Sequence, residues 1–453
     1  MSGASQQNAM MLASLLGVDE REASNRLKRT ILITTEPGWK SSWGIELGRI
    51  ISRTVEVSFN QDGGPPDLEI VVGAARPRTS AKRLFADMDA AAAVLATNPV
   101  EAGTGKPHGL YAAAAACAAA AAAVWAAIDD LALPQVRLPA RFDFRQLGVP
   151  EGALDRPLEL RHAAVVGAGA VAHGFLHAAR HLDLAGELAI VDPKVVQSGI
   201  LNRCVYPSES DVHRDKALSL AERAQGDFAR LQLQPYVMDF KTYVRGLELP
   251  PETAFVTVDS RRARRSIQLE VPRRIVEAST TDARGVVVHS NVLPTEHACL
   301  ACIYRHVPEE HAREQSIAEG LGVRVTDVQA GLITADVAAL ISQTHPAISP
   351  GAITGMAFDS LFRQLCSEQA LATPEGQQVL APFAFVSAWA GVLMAVEMLR
   401  SFTGVATNYW SVDPWNLPLS RGRVRRPRHP DCQFCSNPEY DPIVRELWSR
   451  TTA

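Results

Sequence analysis

Residues 163–192 constrain the fold more than any other stretch of this 453-residue chain. Ala163–Val166 reads as a buried strand, Gly167-Ala168-Gly169 as a glycine turn, and a helical pattern runs from about Val171 to His181. A second strand, Glu187–Val191, ends in Asp192. Strand, turn, helix and strand in this order make the βαβ unit that cradles phosphate, which commits this half of the chain to an α/β sheet. Gly167 permits the tight turn, and Gly169 lets the backbone approach a phosphate group. Exposed amides and the helix dipole favour an anion at the helix start. Asp192, about twenty residues on, is placed to accept hydrogen bonds from ribose hydroxyls.

Three charged residues beyond Asp192 separate a triphosphate site from a dinucleotide site. Arg203 stands in Leu201-Asn202-Arg203, Lys216 opens a helix in Asp211–Leu220, and Asp259 closes a strand in Val256–Ser260. An acid for ribose, two cations for a triphosphate and an acid for magnesium form the set that phosphoryl chemistry needs. Hydride transfer on NAD does not need it.

Four of the seven cysteines form two pairs, Cys299/Cys302 and Cys432/Cys435. Each pair puts two thiolates on one tight turn, and the two together complete a tetrahedral sulfur site for Zn2+. Four sulfurs leave no open position for water, so this zinc is structural and clamps the C-terminus to the second half. The odd count and paired spacing argue against a disulfide framework. Cys117 and Cys204 read as buried small residues. Cys366, in Asp359–Glu368, is the only cysteine between the two pairs. A thiolate there would be a strong nucleophile, and Arg363, three residues earlier on a helix, is placed to favour the ionised form. The alternative is a buried helix cysteine.

The motifs GAGAVA (167–172), VDPKVVQSGILNRC (191–204), DVHRDKALSLAE (211–222), VDSRRARRS (258–266) and EASTTDARGVVVHSNVLPTEHACLAC (277–302) together resemble the ThiF/MoeB superfamily, the adenylating fold of ubiquitin-activating enzymes. The resemblance covers Ala163–Tyr304 and resumes over Pro382–Cys435. It implies that Gly167, Gly169, Asp192, Arg203, Lys216 and Asp259 bind ATP and Mg2+, with Arg203 and Lys216 neutralising phosphate charge during catalysis. It also implies a thioester on a cysteine in the interval that holds Cys366. Two departures stand out. Ala170 and Ala172 replace turn glycines, and Gly199-Ile200 replaces the family's Ser-Asn, leaving Asn202 as a substitute for the lost asparagine.

The expected fold class is α/β, with tandem Rossmann-like adenylation folds. Residues 1–150 form a degenerate copy, in which TTEPGWKS (34–41) stands where a glycine turn would be. Residues 151–303 and 381–453 form the active copy, and 304–380 a helical insertion. Leu133–Pro157 reads as a linker, Leu110–Ile128 as a close-packed alanine-rich helix, Pro382–Arg400 as an apolar helix packed on the sheet, and Arg421–Arg428 as a solvated basic loop. By resemblance, an arginine from the partner copy completes the ATP site, with Arg21, Arg26 and Arg29 as candidates.

The function so implied is activation of a ubiquitin-like protein ending in glycine, with a conjugating-enzyme-like partner, as in bacterial operons that act against phage. Two alternatives remain: an adenylation-only enzyme acting on a sulfur carrier or peptide, and a non-catalytic zinc-bound scaffold. Homodimerisation is left open. Lys and Arg total 45 against 49 Asp and Glu, which gives no basic surface for nucleic acid. With no positive charge in Met1–Asp19 the chain is expected to be cytoplasmic and not membrane-bound.

Overall fold

The computed structural model describes residues 3–449 apart from 61–64, 102, 282, 306–307, 368–381, 405–406 and 417–421. The first half builds β1 (Thr30–Thr35), β2 (Glu56–Phe59), β3 (Leu68–Val72), β4 (Lys82–Met88), β5 (Ala92–Ala96) and β6 (Ala140–Asp143) into one sheet of order β2-β1-β3-β4-β5-β6. β1 to β4 run parallel, and β5 and β6 are antiparallel. β3, LEIVV, is buried throughout, as a central strand covered on both faces should be. The expectation of a plain linker over 133–157 is corrected by β6. Its Phe142, and Phe144 just beyond it, are buried in the core, so the first sheet closes at residue 143.

The second half builds β7 (Leu158–Val166), β8 (Leu184–Val191), β9 (Arg230–Tyr236), β10 (Thr253–Val256), β11 (Arg274–Thr280), β12 (Val286–Val292), β13 (Tyr409–Val412) and β14 (Arg423–Val424). Their order is β14-β13-β12-β11-β10-β7-β8-β9, parallel from β9 to β11 and antiparallel beyond. Val166 lies opposite both Val191 and Val256. That register aligns the carboxyl ends of three parallel strands, where open α/β sheets bind ligands. β10 ends at Val256, so Asp259 stands in the loop beyond the strand and not on it. The basic run is also more than a solvated loop. Arg423 belongs to β14, its guanidinium lies 3.7 Å from the Trp410 ring centroid, and it donates to Leu147 O.

Helices fill the space between the sheets. Gly109–Ile128 is almost wholly buried, and its alanines bring backbones close together. It and Ala384–Phe402 are each long and apolar enough to cross a membrane, yet 83% and 89% of their apolar windows are buried inside the protein. Ala384–Phe402 crosses helix Ala170–Ala179 at Gly391 and Gly174, where a Cβ on Gly391 would lie 2.1 Å from the Gly174 carbonyl carbon. Arg180 pairs with Glu46 at 3.3 Å, Arg400 donates to Gly148 O at 2.8 Å, and Phe142 meets Trp389 edge-on at 5.8 Å. Both halves therefore share one core.

The expected insertion is helical: Pro308–Leu321, Val325–Gln329, Ala335–Thr344, Pro350–Ile353 and Phe358–Ser367. It has its own small core around Leu321, Ile341, Phe358 and Leu361. Arg262–Glu314, a buried pair at 2.8 Å, and Ser260 Oγ donating to Asp359 at 2.9 Å tie it to helix Arg261–Leu269.

Candidate nucleotide site and zinc cluster

The aligned ends of β7, β8 and β10 open into a cavity of about 1210 Å3. Gly167, Gly169, Asp192, Arg203, Lys216 and Asp259 all line it, although they are scattered along the sequence from 167 to 259. Gly167 has φ +97°, and a Cβ there would lie 3.1 Å from Val258 Cγ1 and 3.2 Å from the Thr257 carbonyl carbon. Backbone conformation and space both demand glycine. At Gly169 an added Cβ would meet nothing within 4 Å, so no protein atom requires glycine there. The open space faces the cavity, as a close backbone approach by a phosphate requires. Gly169 caps helix Ala170–Ala179 without a side-chain hydrogen bond, which leaves the first amides for an anion.

Asp192 holds the turn itself. Its Oδ2 accepts from Ala168 N at 2.7 Å and its Oδ1 from Lys194 N at 2.8 Å, and it is 5% exposed. Lys216 opens helix Lys216–Gln225, where the dipole opposes a cation, and burial lowers its pKa further. Burial also lowers the Arg203 pKa. Two cations held at such cost on a cavity wall call for an anion. Arg203 Nη1 donates to Gly199 O at 3.1 Å and Asn202 Oδ1 at 2.7 Å.

Asn202 does not line the cavity. It is 1% exposed and donates to Asn8 Oδ1 at 2.9 Å, while Ile200 faces the cavity instead. Cys366 falls on helix Phe358–Ser367, whose Leu361 and Leu365 line the cavity, but its side chain and that of Arg363 lie outside the described residues. Cys117 and Cys204 are buried, and burial pushes both thiols up, as inert packing cysteines require.

Some lining residues escape the sequence reading. Lys194 pairs with Asp259 at 3.6 Å; its one signal is its place two residues after Asp192. Arg264 and Tyr304 also line the cavity, the guanidinium 4.6 Å from the ring centroid, and both contact buried Glu277. From the first half come Gln7, Met11, Ser14 and Leu15, all on helix Gly3–Leu16. The three candidate arginines are not among the lining residues. Arg26 pairs with Glu22 and Asp130, and Arg29 with Asp67.

The four paired cysteines converge as expected. Their sulfurs all lie within 4.8 Å of one another, with Cys299–Cys302 at 3.8 Å, Cys299–Cys432 at 3.7 Å and Cys302–Cys435 at 3.3 Å. Tetrahedral zinc with bonds of about 2.3 Å sets neighbouring sulfurs roughly 3.8 Å apart, so the donor set and spacing fit that ion. His429 N donates to Cys302 Sγ at 3.4 Å, a contact that favours thiolate.

This fold and site define a nucleotide-binding α/β protein of the adenylating class. A profile of the ThiF family matches residues 145–434, and one of the E1 N-terminal domain matches residues 1–150. The chain belongs to the ThiF family, within the E1-like ThiF/MoeB superfamily, and is an ATP-dependent adenylating enzyme by that membership. An uncharacterized protein, y4jF, of Sinorhizobium fredii is 27% identical over 373 residues, which span 77% of this chain and 70% of that protein. Among solved structures, E. coli MccB with ATP overlaps at TM-score 0.38 and 13% identity, covering 63% of this chain and 68% of that one. PaaA overlaps at TM-score 0.35 and 10% identity, covering 61% and 65%.

Proposed function

We propose that this enzyme activates the C-terminal carboxylate of a ubiquitin-like protein ending in glycine. The observation that carries the reading is the convergence of the glycine turn, Asp192, Arg203, Lys216 and Asp259 on one cavity. A carboxylate oxygen of the partner attacks the α-phosphorus of ATP, the bond to the bridging oxygen breaks, and pyrophosphate leaves. Arg203 and Lys216 stabilise the charge that develops on the phosphates, and Asp192 serves the ribose. Asp259 would hold Mg2+, which supplies charge neutralisation on the leaving group. Zinc in the four-cysteine cluster would clamp the C-terminus.

In the fuller reading Cys366 then attacks the acyl-adenylate, forming a thioester and releasing AMP, before a conjugating-enzyme-like partner takes the acyl group. Support comes from the helix that carries it, because Leu361 and Leu365 of that helix line the same cavity. Residues 1–150 act as a built-in partner copy, and the setting is a cytoplasmic bacterial conjugation pathway directed against phage. ATP–pyrophosphate exchange that depends on a partner ending in glycine tests the first step. No exchange with the intact protein and its cognate partner would refute it. Full turnover by Cys366→Ala, with no thiol-sensitive adduct, would assign adenylation alone, on a carrier protein or peptide.

A further inference from the structure

We propose that Asn8 is a positioning residue for Arg203, and that the first half acts on the nucleotide site through this neutral amide where an arginine was expected. The inference rests on the reading of Arg203 as a phosphate contact. Three side chains form a one-way chain. Arg203 Nη1 donates to Asn202 Oδ1 at 2.7 Å, Asn202 Nδ2 donates to Asn8 Oδ1 at 2.9 Å, and Asn8 Nδ2 donates to Arg53 O at 2.6 Å. Both asparagines are buried, at 4% exposure for Asn8 and 1% for Asn202, so each amide must be satisfied within the protein. Neither can flip without placing like groups face to face, so the orientation of the Asn8 amide sets that of Asn202 and hence the acceptor seen by Arg203.

Arg203 makes no ion pair among the described residues, and the two groups that fix it are the Gly199 carbonyl and the Asn202 amide. Neutral acceptors hold the guanidinium without cancelling its charge, which stays available to an anion. The anchor at the far end is itself firm. Arg53 donates to Leu201 O at 3.0 Å, Val205 O at 3.1 Å and Pro207 O at 3.4 Å, so the first half grips the segment around Arg203 from both sides. Helix Gly3–Leu16 also rests on Gly199, where an added Cβ would come within 3.4 Å of Gln7 Cγ. Helix Gly3–Leu16 thus packs directly on the Ser198–Asn202 segment that precedes Arg203.

The test measures binding of α,β-methylene-ATP with magnesium, and of adenosine, to the full chain by calorimetry. Asn8→Ala should weaken the triphosphate about tenfold, the effect expected from a mispositioned charge-assisted contact, and leave adenosine unchanged. In the Arg203→Ala background it should add nothing. Asn8→Asp is isosteric, keeps an oxygen acceptor for Asn202 and, protonated in this buried place, a donor towards Arg53 O, so it should recover most of the triphosphate affinity; it also serves if the alanine variant does not fold. Wild-type affinity in Asn8→Ala, an equal loss for both ligands, or an additive loss on top of Arg203→Ala would overturn the proposal. Arg203→Ala binding the triphosphate as the wild type does would instead refute the phosphate assignment of Arg203, a failure separate from that of the relay.

Discussion

Gly391→Ala gives the sharpest test of how the fold positions the glycine turn. In the middle of helix Ala384–Phe402 an alanine gains about 1 kcal/mol of helix propensity over glycine. Here its Cβ would lie 2.1 Å from the Gly174 carbonyl carbon, 2.2 Å from Phe175 N and 2.6 Å from Gly174 Cα. These are backbone atoms, so no rotamer change can relieve the contact. The helices must separate by more than about 1 Å to regain ordinary carbon contact near 3.5 Å. Overpacking of a well-packed core costs about 1–3 kcal/mol, and a backbone–backbone clash belongs at or above the upper end. The net expectation is a loss of about 2 kcal/mol or more, lowering the thermal midpoint by several degrees. Helix Ala170–Ala179 begins at the nucleotide turn, so its displacement should also weaken ATP binding. Gly226→Ala is the control. Gly226 follows helix Lys216–Gln225 at φ −63°, with nothing within 4 Å of an added Cβ, so alanine there should be neutral or stabilise by up to about 1 kcal/mol. Differential scanning calorimetry on both variants, with ATP titrations alongside, makes the comparison. A Gly391→Ala protein as stable as Gly226→Ala would refute the crossing geometry.

Three other perturbations have definite expected outcomes. Gly167→Ala forces a left-handed residue to carry a Cβ against Val258 and Thr257, at a cost of about 1–3 kcal/mol, and should abolish ATP binding in calorimetry while the metal content stays that of the wild type. Cys432→Ser should drop metal content measured by emission spectroscopy, and both it and chelation should loosen helix Tyr440–Ser449, which protease cutting of the C-terminal segment would report. His173 is buried, with Nδ1 unpartnered among the described residues. Burial, then Lys216 and Arg53, lower its pKa to about 3, while Asp211 opposes them. Its folded pKa lies below the unfolded value of about 6.5, so the unfolded state binds the proton first. The stability it contributes is present above pH 6.5 and is lost as the pH falls from there towards 3, at up to about 1.4 kcal/mol per pH unit. Denaturant midpoints between pH 7 and 5 should fall more steeply for the wild type than for His173→Gln.

Legibility in the sequence tracks the range of the interactions. The nucleotide turn is readable because Gly167, Gly169 and the following helix are contiguous, and φ +97° at Gly167 is a local demand. The cysteine pairs are readable because each places two sulfurs on one tight turn, a spacing that suits a four-sulfur site. Lys194 escapes notice although it neighbours Asp192, since its pairing with Asp259 depends on two loops meeting beyond β8 and β10. Asn8 carries no signal at all. A polar residue in a helix that is apolar on several sides looks like a defect until Asn202, distant in sequence, supplies its partner. β6 reads as linker because ARFD offers one large apolar side chain, Phe142, and its pairing with β5 supplies the rest. β9, RLQLQPY, alternates as an edge strand should, but the glutamines on its open face hide it.

The alanine helix Gly109–Ile128 obeys the same packing logic. It lies on β3, β4 and β5 of the first sheet and against Ala384–Phe402 and Ala170–Ala179, the helices that cover the second. A helix between two sheets must be apolar all round, and one that faces other helices at close range must also be small. Alanine meets both demands, whereas leucines at the same positions would hold the sheets apart. The uncharged stretch is thus explained by its place between two sheets. With the sheets held this close, helix Gly3–Leu16 and Arg53 of the first half hydrogen-bond to Asn202 and its neighbours, and so reach the cavity wall that Arg203 forms.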